Sequence, residues 1–243
     1  MRAAAILCVF LAGCASSTSS GVDDPLEPMN RRIFALNHEL DDQAALPAAT
    51  YYKSAVPGGM RESVHNFLSN LTLTVTFAND VLQGEVTQAG YAVCRLSVNT
   101  TVGVLGFRDP ATGWGCPGHD EDFGQTLAVY GVPGGPYLVL PLLGSTLPRD
   151  AFGKIVVDHY FNPLGYVTYR GKYYVTITTT VIKTVDQRSR AVNALRDVER
   201  NSIDYYAAVR SIYLQKRESE IDNTTVAPAV DSNSVVAPDT SNK

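Results

Sequence analysis

Cys14 is the residue best placed for chemistry in this chain. It closes a short apolar run and stands directly before a stretch rich in serine and threonine. A thiol there can be alkylated, whereas the other reactive groups are scattered. His119-Asp120-Glu121-Asp122 could hold a hard cation through its carboxylates, but a polar run at the edge of an apolar segment reads more simply as a solvated loop. Arg149-Asp150 could orient a phosphate or cap a helix, and capping is the simpler task. His38, His65 and His159 stand alone. The sequence has no G-x-S-x-G elbow, no H-E-x-x-H, no phosphate loop and no dinucleotide fingerprint. It offers no metal set, no cofactor site and no catalytic constellation, which argues against an enzyme.

The surroundings of Cys14 define its chemistry. Met1 and Arg2 lead into Ala3–Ala12, which carries no charge. A basic start and a short apolar run form the layout of a secretory signal. The run is about ten residues, well short of the roughly 20 that a helix needs to cross a hydrocarbon core. Residues 1–13 therefore read as an export signal. Leu11-Ala12-Gly13-Cys14 resembles the lipobox of bacterial lipoproteins, whose cysteine takes a diacylglyceryl group and becomes the N-terminus after cleavage. Ala15 follows, where an aspartate would mark retention at the inner membrane, so the resemblance implies the outer membrane. Lipid chains contribute about 0.8 kcal/mol per buried methylene, and two or more anchor stably. Residues 14–23 then form a flexible tether.

The 243 residues are 45% hydrophobic and 18% charged, with a net charge of -4. That charged share lies below the roughly 25% usual for soluble domains, so more of the surface need not face water. No basic stripe is present to neutralise phosphates, which excludes nucleic acid as a partner. Cys8 leaves with the signal and Cys14 is spent on acylation. Cys94 and Cys116 remain in a compartment that permits disulfides. They either pair or sit as two buried thiols.

Spacing places the elements. Asp24-Pro25-Leu26-Glu27 starts a helix that settles from Glu27, because Pro28 removes an early donor, and that stops before Pro47. Met60, Val64, Phe67, Leu68 and Leu71 mark another helical face. Thr72–Phe77, TLTVTF, alternates like a strand, and Ala78–Gln83 reads as a short helix ending at Gly84. Gln88–Thr100 reads as a helix, and the glycines and prolines from Gly103 to Gly118 as a loop or hairpin. Tyr173–Val181 is β-branched and threonine-rich, so propensity favours a strand. Val181–Arg217 keeps one long helical pattern, and the tail from Glu218 has none.

Phe123–Pro148 carries no charge at all. Its length suits a membrane span, yet its many glycines and prolines forbid a continuous helix, and broken backbone facing lipid would leave polar groups unpaired. It is either the core of a water-soluble domain or an irregular apolar segment shielded by amphipathic helices in one leaflet.

"DPLEPMNRRIFALN", "NFLSNL", "NDVLQG", "NTTVG" and "DFGQTLAVYGVPGGPYLVLPLLG" followed by "RD" run in order from about Asp24 to Gly153. Together they resemble the signatures of the MlaA (VacJ) family. Cys94, Cys116 and Pro110 depart from that pattern. The resemblance implies a mostly α, single-domain fold over residues 24–217, a ring of amphipathic helices lying in one membrane leaflet. It carries the Gly/Pro-rich apolar segment and is followed by a disordered tail over 218–243. Thr72–Phe77 and Tyr173–Val181 would then be helix or loop.

The implied function is removal of mislocated phospholipids from the outer leaflet of the outer membrane through a polar channel. They would pass toward a soluble periplasmic lipid carrier, in association with a trimeric porin. Asn30, Asn66, Asn79, Gln83 and Asn99 lie in the matching motifs. They either line the channel or cap helices and tie loops, and Gly134-Gly135 would serve as a hinge. The competing functions are a structural lipoprotein that braces a porin and, less economically, a periplasmic phospholipase. If the helices are themselves embedded, a chain lacking residues 1–13 and Cys14 still requires detergent for extraction. A variant that stays dispersed in buffer alone refutes the embedded reading.

Overall fold

A computed structural model of the chain describes residues 24–161 and 172–223. The signal, Cys14, the tether and the tail from residue 224 lie outside the described residues.

Helix α1 (Glu27–Leu40) starts where the sequence places it. The Asp24 carboxylate accepts from the Leu26 amide at 3.2 Å, and Pro28 sits in the first turn, where its missing N–H is no loss. The chain does not stop before Pro47. A π-helical turn, Asp41–Ala45, shifts the register into α2 (Leu46–Ala55), so Pro47 again falls in a first turn.

Helix α3 (Gly58–Gln83) is 26 residues long and absorbs both the expected strand Thr72–Phe77 and the short helix after it. Its buried positions are Leu68, Asn70, Leu73, Thr76, Asn79 and Asp80, mostly at helical steps of three. The threonine alternation is compatible with this because the Thr72 hydroxyl donates to the Ser69 carbonyl at 2.8 Å. Gly84 ends the helix in the left-handed conformation with φ 79°. After Glu85 the chain turns back along α3 as α4 (Val86–Thr101).

The loop beyond α4 contains a one-turn helix, α5 (Pro110–Gly113), capped by Asp109. The structure pairs Cys94 with Cys116 in a disulfide, Cα atoms 6.3 Å apart, fastening this loop to α4. The charge-free segment opens as α6 (Phe123–Val129). It then forms a hairpin of β1 (Leu138–Leu140) and β2 (Gly144–Thr146), antiparallel with Val139 opposite Ser145. It is neither wholly core nor wholly surface: Gln125, Thr126, Tyr137, Val139 and Leu147 are buried, while Tyr130, Leu142 and Leu143 are exposed.

Helix α7 (Pro148–Phe152), a π-helical turn and α8 (Asp158–Phe161) follow. Helix α9 (Lys172–Asn201) takes in Tyr173–Val181, against its strand propensity. There the Thr179 and Thr180 hydroxyls donate to the Val175 and Thr176 carbonyls at 2.6 and 2.8 Å, so the helix itself satisfies them. The pattern over Val181–Arg217 is not one helix. Asp204 accepts from the Ala207 amide at 3.1 Å and starts α10 (Tyr205–Ile221). That helix runs past Arg217, so the ordered domain exceeds its expected boundary.

Tyr137, Val139 and Tyr206 form an apolar cluster, with Ile33, Phe34, Tyr213 and Leu214 packed against it. Among the described residues no helix is long and apolar enough to cross a membrane. Gly103 shows how tightly the α4 exit is folded, since a Cβ there would lie 2.4 Å from the Arg108 carbonyl oxygen and 2.5 Å from that of Asn99. Gly103→Ala is therefore expected to destabilise by roughly 1–3 kcal/mol, whereas Gly113→Ala, with open space around it, leaves the melting temperature nearly unchanged. Equal melting temperatures for the two variants would refute this packing.

Candidate functional site

Four of the six buried positions on α3, Asn70, Thr76, Asn79 and Asp80, are polar. Asn79 is fully buried. Its Nδ2 donates to the Val75 carbonyl at 3.0 Å and to Asp158 Oδ1 at 3.2 Å, and its Oδ1 accepts from Thr126 Oγ1 at 2.9 Å. One turn on, Gln83 Nε2 donates to Glu121 Oε2 at 2.8 Å and to Thr126 Oγ1 at 3.2 Å. Asp80 meets His119 Nε2 at 3.0 Å through both oxygens. His119-Asp120-Glu121-Asp122 is thus not a solvated loop. Asp120 is exposed, but Glu121 is buried, His119 packs on α3, and Asp122 caps α6 by accepting from the Gln125 amide at 2.9 Å. Among the described residues no group of His, Cys, Asp and Glu is placed to hold a metal ion.

Burial governs the charges here. It pushes the Glu121 carboxyl up to about 7, against the pull of the Gln83 hydrogen bond. It pushes Asp158 up to about 6, against hydrogen bonds from Asn79 and the Phe123 amide. At Asp122 burial also acts upward, but the hydrogen bonds and charge of Arg217 outweigh it and hold the carboxyl below its ordinary value. At His119 burial acts downward, and the Asp80 partner more than reverses it.

Farther up α3 a cleft of about 200 Å³ opens between α3 and α4, lined by Asn66, Asn70, Arg95, Asn99 and Asp109 among others. Asn99 is buried and fixes the cleft wall. Its Nδ2 donates to Asp109 Oδ1 at 3.0 Å, and its Oδ1 accepts from the Ala111 amide at 3.1 Å. Arg95 donates to Asp109, Thr112 and the Cys116 carbonyl at 2.8–3.0 Å.

The expected channel residues therefore separate. Asn66 and Asn99 reach one cleft. Asn79 and Gln83 brace the polar interior below it. Asn30 belongs to neither, because it is buried beside the hairpin. It donates to Asp24 Oδ1 and the Tyr137 carbonyl and accepts from the Val139 amide, each at 2.9 Å. It is a tether of β1 to α1.

Gly134-Gly135 lies against the start of α7. A Cβ on Gly134 would lie 2.7 Å from Leu147 Cδ1, and Gly135 takes φ +79° against Pro148. Arg149 and Asp150 do not cap α7 through their side chains. Arg149 Nε donates to Asp150 at 2.9 Å and its Nη1 to the Val132 carbonyl at 3.1 Å.

Sequence reasoning missed Arg217 altogether, because it sits among the basic residues at the end of a helix. It is buried, and bridges Asp122 at 2.6 Å and Asp150 at 2.9 Å. It also missed Asp186, which is buried against His65 at 2.9 Å and Arg190 at 3.2 Å.

The interior formed by the described residues is mixed, with polar and charged side chains buried alongside apolar ones such as Leu68, Leu73, Tyr137 and Val139. Among the described residues the buried side chains include Asn30, Asn70, Asn79, Asp80, Asn99, Glu121, Asp150, Asp158, Asp186 and Arg217. Phe77, Val86, Val104, Leu105, Trp114, Leu142, Leu143 and Tyr174 are among the exposed large hydrophobics. Most of the buried polar side chains find hydrogen-bond partners within the chain, while six buried side-chain atoms among the described residues, the His119 Nδ1 and Gln125 Oε1 among them, have none.

The raised Glu121 carboxyl gives a stability test. Its folded value lies above its ordinary 4.5, so between those values the folded state binds more protons than the unfolded one and stability falls as pH rises. Glu121→Gln is expected to raise stability by about 2–3 kcal/mol at pH 8 and to change it little at pH 4, read as melting temperature against pH. An equal effect at both pH values refutes the assignment.

The comparisons with known proteins converge. The sequence profile of the MlaA lipoprotein family matches residues 22–220. The chain is 36% identical over 200 residues to an uncharacterized protein of Rickettsia bellii, covering 82% of this chain and 77% of that one. It is 32% identical over 225 residues to the intermembrane phospholipid transport system lipoprotein MlaA of Escherichia coli, covering 90% of this chain and 87% of that one. A solved structure described as "Structural basis for maintenance of bacterial outer membrane lipid asymmetry" superposes with a TM-score of 0.73 at 30% identity, covering 82% of this chain and 99% of that one. With a family match across nearly the whole ordered domain and a fold shared with that structure, the chain belongs to the MlaA lipoprotein family.

Proposed function

We infer that this protein maintains outer-membrane lipid asymmetry by removing mislocated phospholipids from the outer leaflet and passing them inward. The observation that carries this is the hydrogen-bonded polar side chains buried along α3 in a molecule that exposes many large apolar side chains. A phospholipid has a charged head and apolar tails. Moving the head between leaflets needs a polar path through apolar surroundings, because an unpaired charge in hydrocarbon is very costly. Amides suit such a path, since they offer donors and acceptors without carrying a charge. Mislocated lipid already runs downhill, so the passage itself requires no energy input.

Cys14 holds the domain at the periplasmic leaflet through its acyl chains, and the helices lie in that leaflet as a ring. A trimeric porin holds the ring in place, and a soluble periplasmic carrier receives the lipid. The relative named as a phospholipid transport lipoprotein supports this assignment.

The test is the phospholipid content of the outer leaflet in a strain lacking this protein, read by an outer-membrane acyltransferase that modifies lipid A when phospholipid reaches it. Loss of the protein is expected to raise the modification severalfold. Wild type reverses the rise and Cys14→Ala does not. An unchanged outer leaflet refutes transport and leaves a lipoprotein that braces a porin.

A further inference from the structure

Resting on the placement of this domain at the periplasmic leaflet, we propose that the tip of the β1–β2 hairpin inserts among the acyl chains of that leaflet, with Asn37 as the residue that equips its backbone for insertion. In the transport reading the embedded elements are helices, and the hairpin has no task. Its tip is Pro141-Leu142-Leu143, inside the segment Phe123–Pro148 that carries no charge. Leu142 is 81% exposed and Leu143 67%. Leu142 also takes a left-handed backbone, with φ 65°. Glycine or asparagine adopts that conformation at least cost, whereas leucine there is strained. In water an exposed leucine gains nothing to offset the strain. Among acyl chains it does, because its side chain leaves water.

The backbone points the same way. β1 pairs with β2 along one edge and packs on α1. Asn30 and Asn37 stand seven residues apart on α1, roughly two turns, and so share a face. Asn30 Nδ2 donates to the Tyr137 carbonyl, and its Oδ1 accepts from the Val139 amide, each at 2.9 Å. Asn37 repeats the pattern at the tip. Its Nδ2 donates to the Leu140 carbonyl at 2.9 Å, and its Oδ1 accepts from the Leu142 amide at 2.8 Å.

Each side-chain amide stands in for a peptide group of an absent neighbouring strand. Val139 is buried, so its amide needs such a partner in any surroundings. Leu142 does not, since water would satisfy the amide of so exposed a residue. In hydrocarbon no water is at hand, and an unpaired amide is costly. An apolar tip whose backbone is satisfied from within therefore suits acyl chains, which offer no hydrogen-bonding partner of their own. Leu36 and Leu40, one residue before and three after Asn37, are exposed as well and add apolar surface on α1 beside the clamp.

The experiment is spin labelling of the full-length lipidated protein in vesicles of phosphatidylethanolamine and phosphatidylglycerol. With Cys94 bonded to Cys116 and Cys14 acylated, a nitroxide on Leu142→Cys reports one position. Molecular oxygen concentrates in the acyl region, and a neutral nickel chelate stays in water. A label on Lys216→Cys, at the exposed charged end of α10, is the aqueous reference. At Leu142→Cys the oxygen collision rate is expected to exceed the nickel rate severalfold, with the nickel rate severalfold below the reference. Asn37→Leu is expected to raise the nickel rate at the tip, as the unclamped backbone draws water; Asn37→Ala takes its place if that variant does not fold. A nickel rate equal to the reference puts the tip in water and overturns the proposal. Exclusion of both reagents means that protein covers the tip and overturns it equally, and broadening that disappears on dilution with unlabelled protein identifies a second copy. An unchanged nickel rate in the Asn37 variant overturns the role of Asn37. The outer-leaflet assay separates the two levels. A wild type that clears the outer leaflet with its tip in water loses only the insertion. One that does not clear it loses the transport reading, whatever the label shows.

Discussion

Arg217 reaches from α10 into the gap between α6 and α7. There its Nη1 and Nη2 donate to Asp122 at 2.8 and 2.6 Å, and its Nε donates to Asp150 at 2.9 Å. This bridge closes the chain onto itself, since it ties the last helix to the start and the end of the charge-free segment. The approach is possible because Gly124 has no side chain. A Cβ there would lie 2.7 Å from Arg217 Nη2 and from the Asp150 Cα. Tyr213, one turn before Arg217, also donates to Asp150, at 3.1 Å. Desolvating three charges is expensive, and the bridge is tolerated because each oxygen and nitrogen finds a defined partner. Its contribution is to specify one arrangement of α6, α7 and α10 and to hold the hairpin between them.

The same logic repeats through the molecule. Asp24 receives the Tyr206 hydroxyl and lies 3.4 Å from Arg210, joining the two ends of the domain. Arg31 pairs with Asp204, and Arg188 with Asp41. In a water-soluble protein of this size, apolar burial would carry the fold. Here the buried apolar cluster is small and the large hydrophobics face outward. With so small an apolar cluster, helix association relies on packing and on polar groups that must be paired.

This constraint also explains what the sequence disclosed and what it concealed. Helix ends governed by local chemistry were readable, such as the Asp24 turn, the stop at Gly84 and the α4 segment. The long ordered motifs were readable as a family resemblance. Thr72–Phe77 was misread because its alternation mimics a strand, and Tyr173–Val181 because β-branched propensity favours one, whereas these helices absorb their threonine hydroxyls at i−3 and i−4. The π-helical turn before Pro47 and the break before Asp204 left no periodic trace, because both neighbouring helices keep the same apolar rhythm. Asn30 and Asn99 look alike as sequence, yet one clamps β1 and the other a cleft wall. Arg217 was invisible because its partners lie 95 and 67 positions away.

The α3–α4 hairpin shows how these devices combine. At its closed end, Gly84 permits the reversal, and Asp80 fixes His119 against the last turn of α3. At its open end, Asn99 and Arg95 seize Asp109, and the Cys94–Cys116 disulfide locks the following loop to α4. Both ends are held by side chains that have no slack. The cleft wall between them is therefore a fixed polar surface in which the Asn99 amide is already oriented by Asp109 and the Ala111 amide, and preorganised donors and acceptors need no reordering when a ligand arrives.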